Sequence, residues 1–294
     1  MKKSLVFILS FCILSSCNYT FDVESPLDKP ILRLECVTGF ETADKPYTKF
    51  YLKQMSPIGK EIYYNTEYEL ESLSVTRNGQ EVECLIKEYQ GFPEKHYYAK
   101  IQGVTGDEIE FNCKAVGLEA ISAKTIVPPK PSFTFSNQLL EESDGFVFYV
   151  IEVQLKNYRK TPQVAVEVFY NRSGMNKSCY IKGIGDSDSF LNYIPYKYLP
   201  ADGDNCFNIV DGREIKDGKF KFRVAIPSGN NKDCYLRVYN LSDEAYKYYL
   251  SRFNSSQTSM SDWNLAPVTP VFSNVKSGSG FLGALNFSES KLSL

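Results

Sequence analysis

The sequence alternates apolar and polar residues over short stretches, which is the pattern of half-buried β-strands. Near the start, Leu32, Leu34 and Cys36 alternate with charged residues. Further on, Asn78-Gly79 joins two alternating runs within residues 73–86 and predicts a hairpin, because both residues accept the positive φ angles of a type I′ turn. Several more short runs within residues 30–127 predict an antiparallel β-sandwich of the Ig-like or Greek-key type.

A second series of strand-like runs follows the proline-rich segment 128–131. Proline fixes φ and lacks an N–H donor, so this segment is predicted to be a stiff linker. We therefore expect a mainly β chain with two β-sandwich domains, at residues 30–127 and 132–294. A rigid crossover between two sheets of one domain is the alternative interpretation of the same prolines.

One amphipathic helix is predicted in the second domain, at about residues 242–254. Ser242 is a suitable N-cap, and Asp243 and Glu244 supply acids to the first turn. Its apolar residues recur at helical spacing and form an aromatic face, consisting of Tyr246, Tyr249, Leu250 and Phe253. We expect this face to pack on the second sheet.

The N-terminus has the features of an export signal, with Lys2 and Lys3 before an apolar run from Leu5 to Leu14. This run is shorter than the ~20 residues that span a bilayer, and no later segment approaches that length. We therefore expect no transmembrane helix in the mature protein.

The motif Leu14-Ser15-Ser16-Cys17 resembles the bacterial lipobox, in which the cysteine is diacylated and the chain is cut just before it. We predict a lipoprotein signal peptide at 1–16, lipidation of Cys17 and a lipid-anchored tether at 17–29. Two or more acyl chains make such an anchor effectively permanent. The alternative is an ordinary signal peptide that leaves Cys17 free or disulfide-bonded.

Composition narrows the classes of function. The chain has 33 Lys and Arg against 35 Asp and Glu, so it lacks the excess of cations that nucleic-acid binding requires. Its single histidine, His96, lies in a strand-like, aromatic context, and no serine lies in a nucleophile-elbow motif. We therefore expect a non-catalytic protein without a cofactor.

Six cysteines remain once Cys12 leaves with the signal peptide and Cys17 is lipidated: Cys36, Cys84, Cys113, Cys179, Cys206 and Cys234. An exported protein permits disulfides, and the even number allows three of them, with the connectivity left open. The wide spacing argues against a zinc site. Alternatively, some of these cysteines are buried small apolar residues.

Two further groups of residues are candidates for ligand binding. Asp202, Asp204 and Asp211 offer loop oxygens to calcium, although their spacing departs from the EF-hand and turn chemistry explains them equally well. Trp263 is a candidate for stacking against a sugar ring, alongside 21 tyrosines. Most of those tyrosines lie at alternating strand positions, where tyrosine is an ordinary sheet former.

The C-terminal part of the sequence carries a family resemblance. Its segments are residues 238–250, Pro267, residues 273–275 and the glycine-rich residues 278–284. Together with the lipobox and the prolines at 128–131, in the same order, they resemble a family of Bacteroidota outer-membrane lipoproteins with a domain of unknown function. Such proteins tend to be encoded beside TonB-dependent, SusC-like transporters.

The resemblance implies an accessory or binding subunit of a TonB-dependent nutrient uptake system, with the transporter as partner. Asp22 and Glu24, which follow Cys17, favour the cell surface over the periplasmic face of the outer membrane. Two other hypotheses remain open at this point. One is a glycan-binding surface lipoprotein that acts alone, and the other is a structural adhesin or pilus-type subunit, which requires an exchangeable strand.

We expect the Cys17→Ala variant to leave the membrane fraction, because it removes the only attachment point for acyl chains that the lipobox provides. Fractionation followed by immunoblotting measures this, and protease added to intact cells tests surface exposure of the wild type. A Ser16→Ala variant, which keeps a small residue before the cysteine, is the control and should stay bound. Membrane attachment of the Cys17 variant would show that the anchor is something else.

Overall fold

A computed structural model describes residues 29–38, 48–58, 61–65, 68–88, 95–101, 103–158, 163–172, 175–183, 190–195, 206–212, 215–229, 233–257 and 271–293. The signal peptide and most of the tether predicted from the sequence lie outside these residues.

Within the described residues the chain is mainly β. The strands of the first half are β1 (Ile31–Thr38), β2 (Thr48–Ile58), β3 (Glu61–Asn65), β4 (Leu70–Arg77), β5 (Gln80–Glu81), β6 (Cys84–Glu88), β7 (Lys95–Ala99), β8 (Glu108–Ala115) and β9 (Ile121–Ile126). Those of the second half are β10 (Ser132–Ser143), β11 (Phe146–Lys156), β12 (Val164–Arg172), β13 (Met175–Ser178), β14 (Tyr180–Gly183), β15 (Phe190–Pro195), β16 (Cys206–Val210), β17 (Lys219–Pro227), β18 (Cys234–Leu241) and β19 (Ser279–Lys291). Helix α1 (Asp243–Gln257) lies between β18 and β19.

One large sheet contains strands from both halves of the chain. Its order is β15-β16-β12-β18-β19-β1-β2-β7-β6, with β13 paired to β12 and β3 to β2. At its centre β1 and β19 run parallel, from Arg33 opposite Ser279 to Thr38 opposite Ala284. The other neighbours along this order are antiparallel. The first and last described strands therefore join the two halves.

Each half also has its own four-stranded sheet and core. The first sheet has the order β5-β4-β8-β9 and the second β10-β11-β17-β14. Leu34 and Leu282 belong to the first core, whereas Leu236 and Val238 belong to the second. Because directly paired residues in a sheet share a face, the registers of β1, β19 and β18 place both cores on the same face of the large sheet.

The proline segment crosses this face between the two cores. Asn286 and Asn240 donate side-chain hydrogen bonds to the carbonyl oxygens of Pro128 and Pro129, at 3.3 and 2.8 Å. Ser288 donates to the carbonyl of Pro131. Side chains of β18 and β19 thus satisfy carbonyls in a segment that has few N–H donors of its own.

Helix α1 covers the opposite face of the large sheet. Ser242 caps it, since its Oγ accepts the N–H of Ala245 at 3.3 Å, which confirms the predicted start. The buried face carries Tyr248, which stacks on Phe281 of β19 with 3.6 Å between ring centroids. The sequence pattern did not single out Tyr248, and Phe253, which it did, has a side chain outside the described residues. No helix among the described residues has the length and apolar character to cross a bilayer.

The predicted hairpin at residues 73–86 is correct at its turn and wrong beyond it. Asn78 and Gly79 have φ angles of 52° and 76°, as a type I′ turn requires. However, β5 pairs with β4 over only two residue pairs, and the chain then enters β6 in the large sheet. Apolar and polar residues continue to alternate over residues 82–86, because a strand buries one face in either sheet. The pattern therefore does not reveal that the chain moves from one sheet to the other.

The expectation of two sandwiches is met in part. Each half has its own small sheet and core, but the large sheet is common to both, and the domain bounds stay a prediction. The tail contributes to two clusters. Leu282 and Ala284 lie in the first core, and Phe281 and Leu285 lie under helix α1.

We expect Gly280→Ala to destabilise the protein by about 3 kcal/mol more than Gly79→Ala. Both glycines have positive φ, at 95° and 76°, so both variants carry the backbone cost of an L-residue there. At Gly280 a Cβ atom would also overlap the carbonyl oxygen of Leu34, whereas at Gly79 it meets open space. Urea denaturation of the mature chain measures both losses. Equal losses would contradict the close approach of β1 and β19.

Candidate binding surface

Most residues that the sequence marked for ligand binding fall outside the described part of the chain. This is so for Cys17, Trp263, Asp202 and Asp204. Asp211 lies half-buried in the turn after β16. Among the described residues, no group of three or more His, Cys, Asp or Glu side chains is placed to hold a metal ion. The calcium and glycan sites therefore stay predictions.

His96 lies on β7 opposite Lys87 of β6, at the edge of the large sheet. This position agrees with the strand predicted around it. Its side chain lies outside the described residues.

The cysteines of the first half are separate thiols. Cys36 and Cys113 are buried in the first core, where desolvation raises the pKa of each to about 12. Cys84 is half-buried on β6, and burial also raises its pKa. Such thiols are unreactive at neutral pH, since the thiolate is the nucleophile. Cys206 begins β16, and its side chain lies outside the described residues.

A hairpin at the edge of the second four-stranded sheet carries the most exposed large apolar side chain of the described residues, Leu139. It is formed by β10 and β11, and we name residues 138–146, with the turn at its tip, the acidic hairpin. Every residue from Gln138 to Phe146 is exposed. Leu139, Leu140 and Phe146 expose 59, 42 and 41% of their surface. Leu139 pairs with Tyr149 of the second core, whereas Phe146 lies beside Phe148 on the other face, so exposed apolar side chains are present on both faces of the hairpin. Exposed apolar surface of this kind is a common mark of a contact site.

The geometry of the acidic hairpin follows from its sequence. Asp144 and Gly145 have φ angles of 51° and 78°, and Ser143 pairs with Phe146 around them, so the turn has two residues. The register shifts between Leu139 and Glu141, which leaves Leu140 as a bulge. A bulge bends the strand and re-aims its side chains, and β10 is the edge strand of its sheet.

The acidic hairpin is anchored on one side only. The Ser228 N–H donates to the carbonyl of Gly145 at 2.8 Å, and the Ser228 hydroxyl donates to Glu142 at 3.1 Å. On the outer face, the rings of Phe146 and Phe148 lie 6.5 Å apart. The turn is therefore fixed by β17 and by Ser228 at its end, and no strand among the described residues pairs with the outer edge of β10.

The hairpin segment itself carries charges of one sign. Residues 132–155 contain the acids Glu141, Glu142, Asp144 and Glu152 and no lysine or arginine. Glu152 lies farther along β11 and pairs with Lys221 at 2.6 Å. The acidic hairpin thus carries three acids and three exposed apolar side chains, which suits a partner that combines apolar surface with cationic groups.

This hairpin is absent from the elements predicted from the sequence. The missed signal is Asp144-Gly145 between two alternating runs, which is as strong a hairpin signal as Asn78-Gly79.

An ionic row lies on the helix-bearing face of the large sheet and runs from the buried Glu167 to the exposed Glu289. Glu167, Arg237 and Glu289 are direct neighbours on β12, β18 and β19. The Arg237 guanidinium lies 3.2 Å from a Glu167 oxygen and 2.6 Å from a Glu289 oxygen. It also lies between the rings of Phe169 and Phe287, 4.5 and 4.6 Å from their centroids. The charge of the guanidinium is thus paired with two carboxylates, and its flat faces contact two aromatic rings.

Glu167 is fully buried and depends on this row. Besides Arg237, it accepts the hydroxyls of Tyr239 at 2.7 Å and Ser178 at 3.1 Å. Burial raises the pKa of Glu167, and the arginine and the two hydroxyls oppose that rise without cancelling it. We interpret the row as a structural feature that fixes the register of three central strands, because a slip by one residue would bury a charge without its partner.

We expect Arg237→Met to cost about 3–5 kcal/mol of unfolding free energy at pH 7.5, because it leaves the Glu167 carboxylate buried without its cation. A carboxyl whose folded pKa is raised stabilises the fold below the unfolded pKa, and that stability is lost as pH rises through the folded pKa. The variant should therefore gain stability between pH 8 and pH 5, as measured by denaturant titration.

The control for this experiment is the double variant Arg237→Met with Glu167→Gln. Without an ionisable group at position 167, it should recover part of the loss and lose the pH trend. A pH-independent loss in the single variant would contradict a role of Arg237 in neutralising Glu167.

Residues 19–291 match the model of a protein family described as "Domain of unknown function (DUF4249)". No curated protein matches the sequence. The matched region begins two residues after Cys17 and includes every strand and the helix described above. The shared large sheet, the two cores and the acidic hairpin thus lie within one family region, and the chain belongs to the DUF4249 family.

Proposed function

We propose that the protein is a non-catalytic, lipid-anchored subunit of the outer membrane that binds a TonB-dependent transporter and assists nutrient uptake. The observation that carries the binding role is the acidic hairpin, whose two strands and turn carry three exposed apolar side chains and three acids at the edge of the sheet. The lipobox at Cys17 supports the location, and the resemblance to Bacteroidota lipoproteins encoded beside such transporters supports the partner.

An anchor and a docking hairpin complement each other physically. Tethering at Cys17 holds the protein close to other outer-membrane proteins, so a modest contact suffices for association because the effective concentration is high. Exposed leucine and phenylalanine side chains supply the apolar centre of such a contact, and the acids favour partners with a cationic rim. Surface exposure is part of this proposal.

The competing hypotheses have less support. A pilus-type subunit needs an exchangeable strand, whereas β19 is paired on both edges within its own chain, to β1 and to β18. The glycan hypothesis depends on Trp263, which lies outside the described residues. A cleft lined by Pro128, Tyr158 and Asn240 has a volume of about 30 Å³, which is room for water.

We expect a tagged, lipidated protein to recover the transporter from detergent-solubilised outer membrane, and a hairpin variant to lose it. The variant replaces Leu139, Leu140 and Phe146 with serine. Removing the apolar centre of an interface typically costs about 2 kcal/mol or more, so recovery should fall by roughly 30-fold. Quantitative mass spectrometry of the eluate measures the change.

The matched control is Ile86→Ser with Val116→Ser, which removes equally exposed apolar residues, at 51 and 54% exposure, from the first half. This control should recover the transporter like the wild type. Thermal unfolding confirms that all variants are folded. Absence of any transporter with the wild type would overturn the proposed partner, and equal recovery with the hairpin variant would overturn the proposed surface.

A further inference from the structure

Of the described strands that end a sheet, β10 is the longest. It has 12 residues, whereas the others have two to six. One edge of β10 pairs with β11, in unbroken register from Ser132 to Leu139. The other edge has no strand beside it among the described residues. Long edges of this kind bind a further strand through their free N–H and C=O groups.

The first part of β10, residues 132–138, lacks the features that protect edge strands. Proteins usually place lysine, another charged residue, proline or a bulge at such an edge. Residues 132–138 include no charged residue and no proline, and the bulge at Leu140 lies beyond them. Their even-numbered side chains are exposed, and the two phenylalanines are half-buried against the second core. This segment therefore offers a regular, uncharged edge to another strand.

Charged residues of opposite sign flank this edge. Lys130 precedes β10 and Glu141 follows the bulge, and both are exposed. A residue before proline prefers an extended conformation, which favours a straight approach of Lys130 to Pro131. The alternation of the strand also continues through this point, since Pro131 is buried and Lys130 is exposed. Lys130 therefore extends the row of outward side chains of β10.

We propose that β10 pairs antiparallel with β10 of a second copy of this chain. The resulting two-fold dimer joins two four-stranded sheets into one sheet of eight strands. A two-fold axis places each end of one strand beside the opposite end of its copy. An edge with a cation at one end and an anion at the other is therefore complementary to itself.

The pleat of the strand restricts the register of this pairing. A two-fold axis perpendicular to the sheet keeps the core-facing side chains of both copies on one face only if it passes through a residue. With the axis at Phe135, Thr134 lies opposite Ser136 of the second copy, where two hydroxyls can share a hydrogen bond. The half-buried Phe135 then lies beside its own copy, which covers the exposed part of the ring.

The charges select this axis among the allowed ones. Leu140 is a bulge, so Glu141 takes the next regular position of the strand. With the axis at Phe135, that position lies opposite Lys130 of the second copy, and symmetry forms the ion pair twice. An axis at Ser136 would place Glu141 opposite Ser132 and lose both pairs.

The dimer goes beyond the proposed transporter contact and does not depend on it. Phe146 and Phe148 lie on β11, one strand in from the shared edge. Strand pairing at β10 therefore leaves their rings uncovered, and a dimer presents this apolar surface twice.

Sedimentation velocity of the purified mature chain, from residue 18, tests the proposal at concentrations of roughly 1 to 200 µM. We expect reversible dimerisation in the micromolar range, because pairing over residues 132–138 makes a small interface. Lys130→Glu places like charges opposite each other at both ends and should weaken the dimer roughly 30-fold, as should Glu141→Lys. A wild type that stays monomeric over this range would overturn the proposal.

The two single variants also test the register, since each supplies the charge that the other needs. An equimolar mixture should form a heterodimer, because one copy then carries two lysines at these positions and the other two glutamates. The double variant Lys130→Glu with Glu141→Lys should dimerise like the wild type. Single variants as dimeric as the wild type, or a double variant that stays monomeric, would contradict the pairing of these residues.

Two controls separate the ion pairs from other effects. Lys177→Glu makes the same change of charge at an exposed position on β13 and should leave dimerisation unchanged. Sodium chloride at about 1 M should remove most of the difference between the wild type and the single variants, because it screens exposed charges. A difference that persists in salt would contradict an electrostatic origin. Thermal unfolding of dilute samples checks that each variant is folded.

The outcomes also separate this inference from the proposed function, because sedimentation uses no transporter. A dimer that recovers no transporter from the outer membrane keeps this inference and excludes that partner. A monomer that recovers the transporter excludes the dimer and leaves the proposed function standing.

Discussion

The parallel pairing of β1 with β19 is the contact on which the rest of the structure depends. It brings residues near the two ends of the chain together over six residue pairs, and Gly280 permits the close approach to Leu34. The proline segment joins the halves along the chain, and this strand pair joins them in space. Both cores pack on one face of the resulting sheet. On its opposite face, Val37 of β1 and Phe281 of β19 lie under helix α1.

Local features of the fold could be predicted from the sequence, since each depends on neighbouring residues. Alternation predicted strands, Asn78-Gly79 predicted a turn and Ser242 predicted the start of a helix. Partners are different, because alternation determines which face of a strand is buried and not which strand lies beside it. The large sheet was missed for this reason. Leu282 and Leu285 look alike in the sequence, yet they lie on opposite faces and in different cores.

The candidate sites also divide into those that depend on neighbouring residues and those that depend on strand pairing. Cys17 is recognised from four consecutive residues, and the acidic hairpin was accessible through Asp144-Gly145. The row of Glu167, Arg237 and Glu289 depends on the register of three strands, and each residue alone resembles an ordinary surface charge.

The meeting of the first and last strands also affects when the protein can fold. Contacts between residues distant in sequence form slowly, because the loop between them must close first. Here the central strand pair of the large sheet cannot form until residues 279–284 have been synthesised, almost at the end of the chain. A nascent chain that lacks these residues keeps one edge of β1 unpaired and Val37 without Phe281 beside it. The topology thus delays completion of the fold until residues 279–284 are available, and this delay is compatible with the export proposed above.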